Sequence, residues 1–340
     1  MTLVVTGAGQ IGQEVVAQAA AQGLRSVVIR RGAAAVARAR TVRGDAGDRE
    51  LLRRESRGAS AILHCVHAAY DPASWRRELP AREQAVMDVA AELGIPVIFP
   101  ESVYAFGHQA EDLREDAPID PCTPLGEVRA ELLAARAAHP ARTLSMVAAD
   151  LVGPTATTAG SVVTATVINP VRAGRTAWVF ADPDLPHSLT QIPDLARAMI
   201  LAAEYAADLA PTNDRILLAP SPPAISLREL AGLIADDAGR GKPSVRRVPS
   251  WPLAVAGLAS PTMRSLHRQR YLWERPMVLG GGVLSGDPRF GPELRPTPLG
   301  RRRRQPAEAG APVEAGTPVG AGAPPRPAHP PSRPRGGENA

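Results

Sequence analysis

The first twelve residues, Met1-Thr-Leu-Val-Val-Thr-Gly-Ala-Gly-Gln-Ile-Gly12, constrain the chain more than any other stretch. Leu3, Val4 and Val5 form a short apolar run of the kind that a parallel strand covered on both faces needs. Gly7, Gly9 and Gly12 then give G-x-G-x-x-G. The first glycine allows a tight turn, the second lets the backbone approach a pyrophosphate, and the third lets the following helix pack close to the strand. That helix, expected over Gln13 to Ala21, points unpaired N–H groups and the positive end of its dipole at the phosphate. Ordinary glycine-rich turns also contain such spacings. A strand before and a helix after supply the context of a dinucleotide fingerprint, so Gly7, Gly9, Gln10, Ile11 and Gly12 are candidate cofactor-binding residues.

Behind the turn, strand and helix signals alternate for about 150 residues, as a doubly wound parallel sheet requires. Arg25 to Arg31 reads as a second strand. An acidic residue at its end would hold a ribose 2′-OH, whereas arginine accommodates a 2′-phosphate. The strand ends in Arg30 and Arg31 with no acid, which favours NADP over NAD; a solvated basic turn is the competing reading. Thr41 to Asp45 is a short third strand, with Asp45 either near an adenine or in a turn, and Asp48 caps the helix that carries Leu51 and Leu52. Ala59 to His67 is the fourth strand. Its His64 and His67 are an odd number of residues apart and so face opposite sides, which argues against a metal site. A helix is expected over Glu78 to Leu93, a strand over Pro96 to Pro100, a helix over Leu125 to Ala138 and a sixth strand over Arg142 to Leu151.

The second half changes character. Val162 to Arg175 reads as a helix with a turn at Asn169-Pro170, and Ile192 to Ala207 as a helix returning to the core. Ser226 caps a helix with Glu229 at the capping-box position, and Trp251 to Tyr271 is apolar and helical, broken at Pro261. From Arg301 onward there are nine Pro and six Gly in 40 residues with almost no large apolar side chains, the composition of a disordered tail. The expected organisation is a dinucleotide-binding core over 1–155, with a return segment near 187–207, a smaller and mainly substrate-binding part over 156–300, and the tail over 301–340.

The net charge of +5 is concentrated in that tail, which has seven Arg and three Glu, so the rest carries about +1 and gives no ground for a nucleic-acid partner. The run Arg301 to Arg304 reads as a solvated charge run. No apolar run is long enough to span a bilayer, and no membrane partner is expected. The N-terminus lacks the basic segment and apolar core of a signal peptide, and the two cysteines, Cys65 and Cys122, suit a reducing compartment. A cytoplasmic protein is the expectation.

These segments together resemble the extended, and in its glycine turn the atypical, short-chain dehydrogenases/reductases, which include NAD(P)-dependent sugar-nucleotide epimerases and dehydratases. The resemblance covers roughly residues 1 to 300. Thr6 to Gly12 is similar to the family's TGxxGxxG with one residue fewer. Ser102-Val-Tyr-Ala-Phe-Gly107 resembles its S-x-x-x-[YF]-G strand end, and Asp150-Leu-Val-Gly-Pro154 its R-x-x-x-x-Y-G-P segment. His187 to Ala196 resembles the stretch that re-enters the core. The resemblance implies a Rossmann-type fold with a smaller C-terminal substrate domain. It also implies a small-molecule substrate and chemistry resting on a serine and a Tyr-x-x-x-Lys pair; helices that dimerise in the family correspond to Glu78–Leu93 and Leu125–Ala138, whose periodicity core packing explains equally well, so a homodimer stays open.

Ser102 matches that serine, but the run Pro121-x-x-Pro-x-Gly126 places Leu125 at the tyrosine position and Arg129 at the lysine position. The four tyrosines, Tyr70, Tyr104, Tyr205 and Tyr271, are followed four residues later by Ser74, His108, Leu209 and Arg275, and Lys242 is the sole lysine. Arg129 is therefore the candidate for holding the ribose hydroxyls as a permanent cation. Tyr104, two residues past Ser102, is the surrogate acid/base, against the plainer reading of a wall tyrosine. His108, Glu101 and His187 are further candidates. Two functions remain open: an NAD(P)-dependent epimerase/dehydratase or reductase acting by hydride transfer on a small carbonyl, hydroxyl or nucleotide-sugar substrate, and a non-catalytic NAD(P)-binding sensor or regulatory protein.

Overall fold

The computed structural model describes residues 1–286 apart from Ala181 and Ser250. The expected tail over 301–340 and the last stretch before it lie outside the described residues. In chain order the elements begin β1 (Thr2–Thr6), α1 (Gln10–Ala21), β2 (Arg25–Arg30), β3 (Arg40–Arg43), α2 (Arg49–Ser56), β4 (Ala61–His64), α3 (Pro72–Leu93) and β5 (Val97–Ser102). A 3-10 segment over Val103–Asp112 leads to α4 (Pro124–Ala138), β6 (Thr143–Ala148) and β7 (Asp150–Val152). A π-helical turn over Thr164–Ile168 runs into α5 (Asn169–Arg172), followed by β8 (Ala177–Val179), β9 (Leu189–Gln191), α6 (Ile192–Glu204), α7 (Ala206–Leu209) and β10 (Asp214–Leu218). The last are α8 (Leu227–Asp237), β11 (Val245–Arg247), α9 (Trp251–Ala259), α10 (Pro261–Arg268), α11 (Tyr271–Glu274) and α12 (Val283–Gly286).

Seven strands form one sheet in the order β10-β6-β5-β4-β1-β2-β3, and each pairing is parallel. The chain leaves β1 toward β2 and β3 and then crosses to β4 on the other side. The switch point therefore lies between β1 and β4, the place where open α/β sheets bind ligands outside the strand ends. Alternation along β1 sorts its side chains. Leu3 and Val5 join the core beneath α1 and α6 with Val15, Leu195 and Met199, while Val4 joins the opposite core with Ile29, Leu52, Val86 and Phe99. A separate core of Val163, Val167, Val179, Leu230, Ile234 and Trp273 gathers the π turn, β8, α8 and α11.

Local signals explain most boundaries. Asp48 caps α2 by accepting from the Leu51 N–H, and Ser226 and Glu229 form the full capping box of α8. The helix expected from Glu78 starts six residues earlier, because Asp71 caps it at the Ser74 N–H and Pro72 occupies its first turn, where a missing N–H does no harm. Pro80 then sits inside α3 on the exposed face. The carbonyl it leaves without its helical donor is that of Arg76, itself an exposed residue. The single strand expected over 142–151 is two: the Ala149 N–H turns away to the Thr190 hydroxyl at 2.9 Å, and the chain re-pairs as β7 with β9. No turn interrupts the chain at Asn169-Pro170; the helix widens to a π turn there and continues.

Candidate active site

The glycine turn closes the C-terminal end of β1. Gly7 has φ +87°, which an L side chain resists, and a Cβ on it would stand 2.8 Å from the Cys65 carbonyl oxygen. A Cβ on Gly12 would come within 2.1 Å of the Gly7 carbonyl oxygen, so α1 approaches the turn through that glycine. A Cβ on Gly9 would meet nothing within 4 Å. The turn is thus packed at its first and third glycines and open at the second, where a pyrophosphate needs backbone access.

Helix α1 begins at Gln10 rather than Gln13, so Gln10, Ile11 and Gly12 form its first turn, with no side-chain cap and no acidic residue. Their N–H groups are the ones a helix leaves without internal partners, and they suit an anion. The cradle therefore fits a dinucleotide. Gln10 also ties the loop after β7 over the turn: its Nε2 donates to the Gly160 carbonyl at 3.1 Å and its Oε1 accepts from the Thr157 N–H at 3.3 Å. Cys65, behind the turn, is an inert packing thiol that burial pushes up to about 12.

At the end of β2, Arg30 donates from Nη1 to the Ala34 carbonyl at 3.3 Å, within its own loop, while Arg31 is exposed. Asp45 takes a turn role, accepting from the Gly47 N–H at 2.8 Å and pairing with Arg82 Nε at 3.1 Å. Partial burial pushes the Asp45 carboxyl up, but the Arg82 hydrogen bonds, the Gly47 N–H and the charges of Arg82 and Arg31 outweigh it and hold it below the ordinary value. His64 and His67 do not meet at a metal. His64 is buried with Nδ1 2.7 Å from the Thr6 hydroxyl, His67 lies past the end of β4, and no metal-ligand cluster occurs among the described residues.

Ser102 ends β5 at the sheet edge, half-buried. Its backbone N–H donates to Glu101 Oε1 at 2.7 Å and its hydroxyl lies 3.4 Å from the same oxygen. Glu101 is the hub of a buried charge network. Its Oε2 accepts from Arg136 Nη1 at 2.9 Å, and its Oε1 faces Arg129 Nε at 3.4 Å. Arg136 forks onto Glu83 through Nε and Nη2, both at 2.8 Å, and donates to the Ser145 hydroxyl at 2.9 Å. Arg129 is buried over the Trp75 ring, 4.5 Å from its centroid, with Nη2 3.3 Å from His67 Nε2. Arg129 and Arg136 are two turns apart on α4 and reach the same carboxylate. That spacing was available in the sequence, but Glu101 as their common partner was not.

Leu125 is 2% exposed and packs with Trp75, Leu79, Val128 and Leu132 between α3 and α4. Tyr104 falls on the 3-10 segment rather than on the strand; its ring stacks on Trp75 and its hydroxyl lies 2.8 Å from that of Tyr70. Burial, reinforced by the charge of Asp150, pushes the Tyr104 phenol up to about 12. His108 is exposed, 3.6 Å from Glu111.

His187 is buried: its Nε2 is 2.7 Å from Asp150 Oδ2, an oxygen that also accepts from Trp273 Nε1 at 2.9 Å. Burial pushes the Asp150 carboxyl up, and the bonds from His187 and Trp273 outweigh it, so the group stays ionised below the usual carboxylate range. The Asp150 side chain keeps 27% exposure and its charge reaches Tyr70 and Tyr104. Asp150 is the site residue that the sequence reading passed over as more than part of a segment; three elements far apart in sequence converge on it.

The sequence matches the NAD dependent epimerase/dehydratase family over residues 3–215. No curated protein matches it. Among solved structures, the chain is similar to the Bordetella bronchiseptica enzyme WbmH in complex with NAD+, with 16% identity, 73% of this chain and 85% of that chain covered and a TM-score of 0.57. It is also similar to the Thermus thermophilus UDP-glucose 4-epimerase in complex with NAD, with 19% identity, 79% and 99% covered and a TM-score of 0.57. A third is the UDP-N-acetylglucosamine 4-epimerase of Methanobrevibacter ruminantium in complex with UDP-N-acetylmuramic acid, with 17% identity, 73% and 86% covered and a TM-score of 0.57. At these identities the likeness is one of fold.

Proposed function

The chain belongs to the NAD dependent epimerase/dehydratase family, and from that premise we propose that it binds NAD(P) at the glycine turn and acts on a small carbonyl, hydroxyl or nucleotide-sugar substrate at the C-terminal edge of the sheet. The observation that carries this reading is the open face of Gly9 above an uncapped helix start, at the switch point and with only β4 between its strand and β5, which leads to Ser102. A bound nicotinamide supplies hydride transfer. Gly7 and Gly12 shape the cradle, Gly9, Gln10 and Ile11 present N–H groups to the pyrophosphate, and Arg129 places a permanent cation beside the ribose. Ser102 orients the reacting oxygen. Tyr104, whose phenol burial keeps protonated at neutral pH, donates a hydrogen bond to that oxygen and is a poor base. NADP over NAD rests on Arg31, which is exposed at the end of β2 while Arg30 is engaged by its own loop.

A second reading, a nucleotide-binding sensor without turnover, is favoured by one observation: the position matched to the family's proton-transferring tyrosine holds Leu125, sealed in a helix interface. Titration of purified protein with NADH and NADPH, followed by turnover on a panel of carbonyl compounds and nucleotide sugars, separates them. Hydride transfer to any panel member supports the first reading. Binding that Gly9→Arg abolishes, with no transfer across the panel, leaves only the second. Absence of binding to either nucleotide would sink both.

A further inference from the structure

The charge of this protein is unevenly spread in a way its total conceals. Residues 238–286 carry eight Lys and Arg against one acid, Glu274, while residues 1–237 carry 22 Arg against 28 acids. Glu274 is shared by Arg270 at 3.2 Å and Arg247 at 3.7 Å, and Arg275 reaches out of the segment to Glu111 at 2.8 Å, so the segment has no further carboxylate of its own for Arg240, Lys242, Arg246, Arg264 and Arg268.

Within this basic segment lies the most exposed apolar surface among the described residues. Trp251 is 67% exposed, Val255 58% and Leu258 80%, and all three are on α9. Their i, i+4, i+7 spacing puts them in one stripe along the helix. The opposite side of α9 is committed: a Cβ on Gly257 would come within 3.1 Å of the Arg264 Cα, so α9 lies tightly on α10 through that glycine. Arg264 then donates from Nε to the Gly257 carbonyl at 2.9 Å and from Nη2 to the Leu258 carbonyl at 3.2 Å. A cation is thereby pinned at the end of the apolar stripe. The strand leading into α9 ends in exposed Arg246 and Arg247, and Arg246 lies over a further exposed tryptophan, Trp178, 5.9 Å from its ring centroid.

We propose that α9 with its basic rim docks on an anionic membrane surface. No helix among the described residues is long and apolar enough to cross a membrane, so the mode is lying in the interface. An exposed Trp, Val and Leu stripe enters the acyl boundary, tryptophan prefers the headgroup level, and the surrounding Arg residues meet anionic headgroups. This departs from the expectation of no membrane contact, which rested on the absence of a spanning segment. It is independent of the proposed cofactor chemistry.

The test is co-flotation of the full chain with vesicles of phosphatidylcholine alone and of phosphatidylcholine mixed with phosphatidylglycerol, at low and high salt. The expected result is binding to the anionic vesicles only, weakened by salt. Leu258→Glu and Trp251→Ala should each lower partitioning by about tenfold, and Arg246→Ala by roughly fivefold, with unchanged melting curves. Equal flotation of the parent and both stripe variants would overturn the proposal, as would equal binding to both vesicle types. A change from dimer to monomer in sedimentation on Leu258→Glu, with no vesicle binding by the parent, would assign the stripe to a second copy of the chain instead.

Discussion

Gly7, Gly9 and Gly12 share a motif but differ in what a methyl group would meet, and this separates stability from binding. Gly12→Ala drives a Cβ into the Gly7 carbonyl and should lower stability by roughly 1–3 kcal/mol in a denaturant melt. Gly9→Ala has room, and its φ of −77° suits any residue, so stability should change by less than about 1 kcal/mol. Its methyl group points into the open face, and NAD(P)H affinity measured by fluorescence should fall about tenfold, the size of a modest steric clash. Leu125→Tyr is the converse case. The side chain is enclosed by Trp75, Leu79, Val128 and Leu132, so a larger ring should cost roughly 1–3 kcal/mol by overpacking and confer no turnover. Turnover gained by this variant would mean that position 125 reaches the cleft. The glycines were legible in the sequence because backbone geometry demands them. The burial of Leu125 was not, because a leucine is equally at home in a cleft wall and in a helix interface.

At the scale of elements, one arginine ties its helix to three other elements. Arg136 on α4 is 1% exposed and bonds Glu83 on α3, Glu101 on β5 and Ser145 on β6, with its guanidinium 4.0 Å from the Phe99 ring centroid. Burial pushes the Glu83 carboxyl up, but the charge and bonds of Arg136 outweigh it and hold the group ionised. Arg136→Met would strand the buried Glu83 carboxylate and leave Glu101 with Arg129 alone, and such losses cost about 3–5 kcal/mol. Because Glu101 also holds the Ser102 N–H, the same variant should disturb the end of β5, read as lost NAD(P)H affinity at a temperature where the variant remains folded. Arg136→Lys keeps the charge but cannot span the fork, and should recover only part of the stability. The helices themselves were readable from caps and apolar spacing. The clamp was not, since a charged residue on an amphipathic helix reads as solvated until the opposing carboxylates are placed.

For the whole molecule, buried titratable groups set the acid limit. Burial, slightly offset by the Glu83 carboxylate, lowers His64 to about 4 from an ordinary 6.5, so the folded protein keeps it neutral. Between those values the unfolded chain binds a proton that the folded chain does not, and stability falls as pH drops from 6.5 toward 4, by about 3 kcal/mol for this group. His67 is lowered in the same direction, by burial first and by Arg129 second, with solvent screening its share because it is exposed at the cleft. Glu83 and Asp150, both held below their ordinary values, add a further loss only once the pH falls below the unfolded carboxylate range. Urea midpoints should therefore be flat between pH 6.5 and about 8, decline below that window through His64, and decline again above about pH 9, where the unfolded chain releases the Cys65 and Tyr104 protons that the folded chain keeps; His64→Gln should flatten the first part of the acid decline. The sequence by itself determined the parallel α/β sheet and the glycine cradle, because these follow from local periodicity and from backbone conformations that only glycine reaches. Tertiary structure alone decided that Glu101 gathers Arg129 and Arg136, that His187 and Trp273 converge on Asp150, and that α9 leaves its apolar stripe uncovered. Each of these depends on residues separated in the chain, whose pairing is fixed only when desolvation makes every buried charge find a partner.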